Sequence, residues 1–264
     1  MKRRSFVKTS LLAGAMSPII QAAAGIKGEE KKQDRQYYEL RTYQLKDATQ
    51  QKLVEDYYEK AAIPALNKIG SHSVGVFTEM KPEGHTKIYV IIPHSSLEVF
   101  VDSNDKLMKD EAYIKAADSY LNAPATSPAY ERIESSLLYA FRSFPQMKTD
   151  ALKQRMFELR RYESSGEATG KKKIEMFNEG GEIDVFLQTG FHPVFFSESI
   201  VGENRPNLTY MLQFADMNEH DASWKTFGSS PQWNKLKAIP DYADAKIVSK
   251  IVSQFLLPTS FSQI

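Results

Sequence analysis

From Tyr37 to Leu45 the chain alternates in a two-residue period. Tyr38 and Leu40 fall on one face, and Glu39, Arg41 and Tyr43 on the other, as in a half-buried strand. A helix is predicted from about Ala48, with Leu53, Tyr57 and Ala61 at four-residue spacing and Pro64 placed to kink or end it. Val74–Met80 and Lys87–Ile92 read as two strands joined by a turn at Pro82-Glu83-Gly84. A long helical region, about Leu97–Leu121, and a strand at Ile133–Phe141 complete the order strand, helix, strand, strand, helix, strand.

That order is written twice. Tyr38-Glu39-Leu40-Arg41-Thr42-Tyr43 returns as Phe157-Glu158-Leu159-Arg160-Arg161-Tyr162, and Gly70-Ser71-His72-Ser73-Val74 as Gly190-Phe191-His192-Pro193-Val194. Ile88-Tyr89-Val90-Ile91 matches Thr209-Tyr210-Met211-Leu212, and Ala112-Tyr113-Ile114-Lys115-Ala116 matches Gln232-Trp233-Asn234-Lys235-Leu236. The offset stays near 120 residues, so the blocks mark one structural unit repeated at residues 37–145 and 151–258, joined at Pro145–Ala151. In the second unit Gly180-Gly181 breaks the first helical region. The predicted class is α+β: two tandem ferredoxin-like βαββαβ units, each an antiparallel sheet with its helices on one face. Each open sheet face needs a partner, and two copies in one chain supply it as an intrachain dimeric α+β barrel.

Composition narrows the function classes. The 264 residues are 42% hydrophobic and 11% aromatic, enough to fill a core. Basic and acidic residues number 34 and 33, for a net charge of +1, and Lys2, Arg3, Arg4 and Lys8 stand among the first 24 without an acid. The remainder is therefore slightly acidic and lacks the electrostatic footprint of a nucleic-acid binder. With no cysteine, disulfides, thiolate metal sites and cysteine nucleophiles are excluded. Lys2-Arg3-Arg4-Ser5-Phe6-Val7-Lys8, a short apolar stretch to Ile20 and Ala22-Ala23-Ala24 resemble a twin-arginine export signal spanning residues 1–24. The expected location is periplasmic or extracellular, with residues 25–36 as a flexible polar lead-in and no membrane span in the mature chain.

The opening strand Tyr37-Tyr38-Glu39-Leu40-Arg41-Thr42-Tyr43 resembles that of NIPSNAP-family domains, and so does the pairing of Trp224-Lys225-Thr226-Phe227 with Ser230-Pro231-Gln232-Trp233. The resemblance covers nearly all of Tyr37–Leu257 in two copies. It is better in the second, since Phe100 and Tyr113 stand in the first where Trp224 and Trp233 are expected. It implies the ferredoxin-like fold and barrel pairing, and little about activity. Animal members are associated with mitochondria and vesicle traffic. Other dimeric α+β barrels include monooxygenases and haem-degrading or chlorite-decomposing enzymes, an analogy through fold alone.

If the apolar face of the first strand of each unit meets the helices, Glu39, Arg41 and Tyr43, with Glu158, Arg160 and Tyr162, line a polar barrel interior. Arginine there is suited to clamping an anion or carbonyl and glutamate to acting as a base. Mutual neutralisation of each Glu–Arg pair is the competing, architectural reading. His72 and His192 occupy matching positions and complete the ligand-binding candidates. Neither belongs to a His-x-His or His-Glu-x-x-His motif, so no metal site is expected, and no cofactor is predicted. The leading expectation is a small polar or anionic ligand bound in the barrel interior. The alternatives are a cofactor-poor oxygenase or isomerase of the dimeric α+β barrel type, and a protein-interaction module. Homo-oligomers remain compatible with the sequence.

Overall fold

The computed structural model describes residues 34–82, 84, 86–149 and 155–264. The export segment 1–24, the lead-in as far as residue 33, and Glu83 of the predicted turn lie outside the described residues.

Eight antiparallel strands close into a barrel: β1 Tyr37–Leu45, β2 Gly75–Glu79, β3 Thr86–His94, β4 Arg132–Ala140, β5 Met156–Glu163, β6 His192–Val201, β7 Asn207–Phe214 and β8 Lys250–Pro258. Their order around the wall is β1-β3-β2-β8-β5-β7-β6-β4. Each unit thus contributes four contiguous strands in the ferredoxin-like arrangement. The units meet along two seams, β2 with β8 and β4 with β6. Closure satisfies the edge strands of both sheets, which alone would expose unpaired backbone groups.

The helices lie outside the wall. In the first unit these are α1 Ala48–Tyr57, α2 Ile63–Lys68, α3 Leu97–Leu107, α4 Glu111–Ala116 and α5 Asp118–Leu121. The second unit has α6 Glu167–Asn178, α7 Glu182–Gln188, α8 Met217–Ser229, α9 Pro231–Lys237 and α10 Asp244–Ile247. Local capping chemistry sets several starts. Asp47 accepts from the Thr49 and Gln50 amides, Asp110 from those of Ala112 and Tyr113, and Asp216 from those of Asn218 and Glu219. The Asp110 cap also divides the predicted Leu97–Leu121 region into separate helices. Pro64 does not end its helix. A π-helical turn, Tyr58–Ala62, precedes it and the helix continues to Lys68.

Of four apolar clusters, three define the layers. One packs Tyr43, Leu45, Ile88, Val90 and Ile92 beneath the first unit's helices, and a second packs Tyr162, Phe196, Tyr210 and Leu212 beneath the second unit's. The third fills one half of the barrel itself, with Tyr38, Phe77, Phe157, Phe195, Met211 and Ile264 at its centre. Gly75 allows this plug to form: a Cβ there would stand 2.6 Å from the Phe77 ring and 2.8 Å from Ile264.

The plug corrects one expectation. Because the barrel interior is itself half apolar, the Tyr38–Leu40 face points inward, and Glu39, Arg41 and Tyr43 point outward beneath the helices. The same holds for Glu158, Arg160 and Tyr162. Alternation assigned the residues to faces correctly but assigned the faces to the wrong sides.

Candidate functional site

Beyond the plug the barrel holds a cavity of about 830 Å³. Leu40, Leu138 and Leu159 are among its apolar lining, Thr42, Ser136, Tyr89, Thr209 and Gln254 supply polar groups, and Lys87, Arg132, Glu134 and Arg161 bring charge. Much of that charge is already committed. Gln44 donates to Glu134 Oε1 at 2.6 Å, and Arg161 holds Glu163 Oε1 through Nε at 3.0 Å and Nη2 at 2.8 Å. Tyr89 donates its hydroxyl to Glu79 at 3.2 Å. Beside the β2–β8 seam a second hollow of about 480 Å³, bordered by Met80, Met217, Ser253 and Phe255, shares Lys87 and Gln254 with the first. It lies where β2 ends at Glu79 while β8 runs on unpaired by β2.

The Glu–Arg rows build two related clusters outside the wall. Arg41 meets Glu39 in a bidentate pair, Nε to Oε1 at 2.7 Å and Nη2 to Oε2 at 2.8 Å, and Ser135 donates to Oε1 at 2.8 Å. Burial pushes the Glu39 carboxyl up, but the Arg41 charge and the hydrogen bonds from Arg41 and Ser135 outweigh it and hold the group below its ordinary value. Tyr43 Oη lies 2.9 Å from Tyr58 Oη and 3.0 Å from Tyr120 Oη, within a tyrosine network.

In the second unit Arg160 Nη1 donates to Glu158 Oε1 at 2.6 Å, Ser253 donates to the same oxygen, and Trp224 Nε1 donates to Oε2 at 3.1 Å. Arg160 also lies 4.5 Å from the Trp224 ring centre. Its Nη2 donates to the Tyr162 hydroxyl at 3.2 Å, which in turn accepts from Tyr210 at 3.1 Å. The strand register makes the clusters equivalent: Ser135 stands opposite Arg41 as Ser253 stands opposite Arg160.

The matching histidines do not join either cluster. His72 is exposed ahead of β2, and His192 opens β6 with Nε2 3.7 Å from Glu219 Oε1. Neither lines the cavity. Two other histidines approach the clusters. His220 Nε2 lies 3.4 Å from Glu158 Oε2. His94 is buried, its Nδ1 3.2 Å from Ser71 Oγ and its Nε2 without a hydrogen-bond partner. Burial pushes the His94 imidazole down to about 4, so it is neutral at pH 7. A sequence signal for them existed. His94 is aligned with Phe214 and Phe100 with His220, a crossed exchange that a search for identical residues passes over. The helix caps Ser96 and Asp216 fix that alignment, placing Asn104, and not Phe100, at the position of Trp224.

Among the described residues no three His, Asp or Glu side chains gather in a group that could hold a metal ion. No helix among them is long and apolar enough to cross a membrane.

The NIPSNAP family model matches the chain twice, over residues 38–143 and 157–263. Solved structures with the same barrel include a proposed monooxygenase from Fusobacterium nucleatum, 8% identical, covering 86% of this chain and 93% of its own at a TM-score of 0.57. A second, from Lactobacillus acidophilus, is 9% identical and covers 85% and 94% at a TM-score of 0.55. An uncharacterised NIPSNAP-like domain from Burkholderia xenovorans, 14% identical, covers 42% of this chain and 90% of its own at a TM-score of 0.36. No curated protein matches the sequence.

Proposed function

The chain belongs to the NIPSNAP family, and from that premise we propose that it binds a small polar organic molecule in the open half of its barrel. The observation that carries this reading is the cavity of about 830 Å³, within the range of small-molecule sites. Its lining suits one kind of guest. Leu40, Leu138 and Leu159 accept an apolar portion, while Thr42, Ser136, Thr209 and Gln254 offer hydroxyl and amide partners. Lys87 and Arg132 add a place for an anionic group. No bound cofactor is required.

The test is a thermal-shift screen of small carboxylates, polyols and carbonyl compounds, followed by calorimetry. Ligand at 100 times its Kd stabilises the fold by about 2.7 kcal/mol. Thr42→Phe fills the cavity from β1 and abolishes that shift, whereas Arg41→Met, on the opposite face of the same strand, leaves it. A shift that survives Thr42→Phe removes the barrel as the site.

A cofactor-poor oxygenase or isomerase is the second reading. It is supported by the fold shared with the two neighbours named as monooxygenases and by the cluster of Glu158, Arg160 and His220. Substrate-dependent oxygen uptake by the purified protein separates it from simple binding. Residues 1–24 carry the further proposal of export by the twin-arginine route. It fails if Arg3→Lys with Arg4→Lys does not retain a fused reporter in the cytoplasm.

A further inference from the structure

The two outer clusters share a plan but not a filling. In the second unit Trp224 occupies the cluster from within: its indole N–H reaches Glu158 and its ring lies against Arg160. Phe186, Phe191 and Phe227 wall the indole, with ring centres 4.9 to 5.8 Å away.

The first unit keeps the polar half and lacks the aromatic half. Glu39, Arg41 and Ser135 repeat Glu158, Arg160 and Ser253. At the aromatic positions the repeat alignment puts smaller side chains: Asn104 for Trp224, Leu66 for Phe186, Ser71 for Phe191 and Leu107 for Phe227. The buried pairs Ser103 with Ser223 and Leu107 with Phe227 hold α3 and α8 in that register. Exposure follows the missing volume. The Arg41 and Glu39 side chains are 28% and 10% exposed, against 16% and 1% for Arg160 and Glu158. His94, 1% exposed and within electrostatic reach of Glu39 and Arg41, presents a buried Nε2 that nothing satisfies.

We propose that the part-exposed Glu39–Arg41 pair beside α3 in the first unit is a binding site for a planar aromatic molecule carrying an N–H or O–H donor, with Trp224 acting as the built-in counterpart of that ligand in the second unit. The ring takes the place of the indole against the Arg41 guanidinium. Its donor is accepted by Glu39, whose oxygens keep lone-pair capacity beyond the Arg41 and Ser135 bonds. Leu66, Leu107 and Phe100 supply the apolar wall. This site lies on the opposite side of the sheet from the barrel cavity and stands or falls independently of it.

The experiment uses indole, phenol and aniline as probes on the full chain, read by calorimetry and ligand-observed NMR. Indole is expected to bind saturably at one site, and 1-methylindole, which lacks the donor, at least about tenfold more weakly. Asn104→Trp covers the Glu39–Arg41 pair as Trp224 covers Glu158 and Arg160, and is expected to abolish binding while Thr42→Phe inside the barrel leaves it intact. Trp224→Ala uncovers the Glu158–Arg160 pair, so indole should bind at two sites and raise the melting temperature of that variant more than that of the parent. Should that variant not fold, Asn104→Trp carries the decision alone. Absence of saturable binding of all three probes to the parent protein, or binding undiminished by Asn104→Trp, overturns the proposal.

Discussion

His94 on β3 packs edge-on against Phe100 on α3, ring centres 5.4 Å apart, and the second unit reverses the pair, with Phe214 on the strand and His220 on the helix at 5.1 Å. The repeat has kept one imidazole and one phenyl ring at each contact and exchanged which element bears them. The exchange has an electrostatic consequence, because the strand position is deeply buried and the helix position is not: His94 is 1% exposed, while the His220 side chain is 12% exposed.

His94 therefore makes the fold acid-sensitive. Its folded-state value, pushed by burial from the ordinary 6.5 down to about 4, favours the neutral ring. The unfolded chain takes up a proton that the folded chain refuses, so this contribution is complete above about pH 6.5 and is lost as pH falls toward 4. The loss amounts to up to about 3 kcal/mol. His94→Phe, the residue of the other unit, should flatten the decline measured by urea unfolding between pH 7.5 and 4.5. An unchanged slope in that variant rules His94 out as the cause.

The buried ion pairs differ in what their removal costs. Glu158 is 1% exposed, so Arg160→Met strands a buried carboxylate and should cost about 3–5 kcal/mol. Glu158→Leu combined with Arg160→Met should recover most of that. Arg41→Met should cost less, because Glu39 and Arg41 retain more solvent. Denaturant midpoints for the three variants check this ranking, and equal losses for Arg41→Met and Arg160→Met contradict it.

Gly75 tests the plug. Its Cβ would press on Phe77 and Ile264, both essentially inaccessible, so Gly75→Ala should destabilise by about 1–3 kcal/mol through overpacking. Gly166, with nothing within 4 Å of its Cβ position, gives the control, and Gly166→Ala should stay within about 1 kcal/mol of the parent. Similar thermal shifts in the two variants would show that the plug yields.

The repeat made the architecture legible in the sequence. Strand order, helix order and the pairing of two open sheets all follow from blocks about 120 residues apart, and the closed barrel and the two family matches agree with them. The sides of the sheet were not legible. Both faces of β1 carry aromatic and polar residues, Tyr38 with Thr42 inward and Tyr43 with Arg41 outward, so periodicity could not say which face the helices cover. The inward polar set, Thr42, Gln44, Ser136, Thr209 and Gln254, is scattered over four strands and forms no motif. His72 and His192 were conspicuous because they align, whereas His94 and His220 are placed against the clusters and do not.

Lys173 on α6 gives the last prediction, because it is a charge where the first unit has the apolar Val54. The side chain is 1% exposed, with Nζ 3.2 Å from Glu182 Oε2 and 3.3 Å from Asp244 Oδ1. Burial alone would lower the ammonium, but Glu182 and Asp244 hold it above its ordinary value. Burial pushes Glu182 up to about 7 against the pull of Lys173. Lys173→Met removes that pull and leaves only the weaker pull of Arg160 against burial, so the Glu182 carboxyl rises further. A carboxyl raised in the folded state is tolerated while protonated and penalised once ionised, so stability is present at low pH and falls as pH climbs from the unfolded value of about 4.5 through the raised one. The variant should therefore lie near the parent at pH 5 and well below it at pH 8, where the uncompensated carboxylate costs about 3–5 kcal/mol. Adding Glu182→Gln should abolish the pH dependence of that gap. Urea midpoints at the two pH values decide the matter, and a deficit of equal size at both would mean that Lys173 stabilises by packing alone.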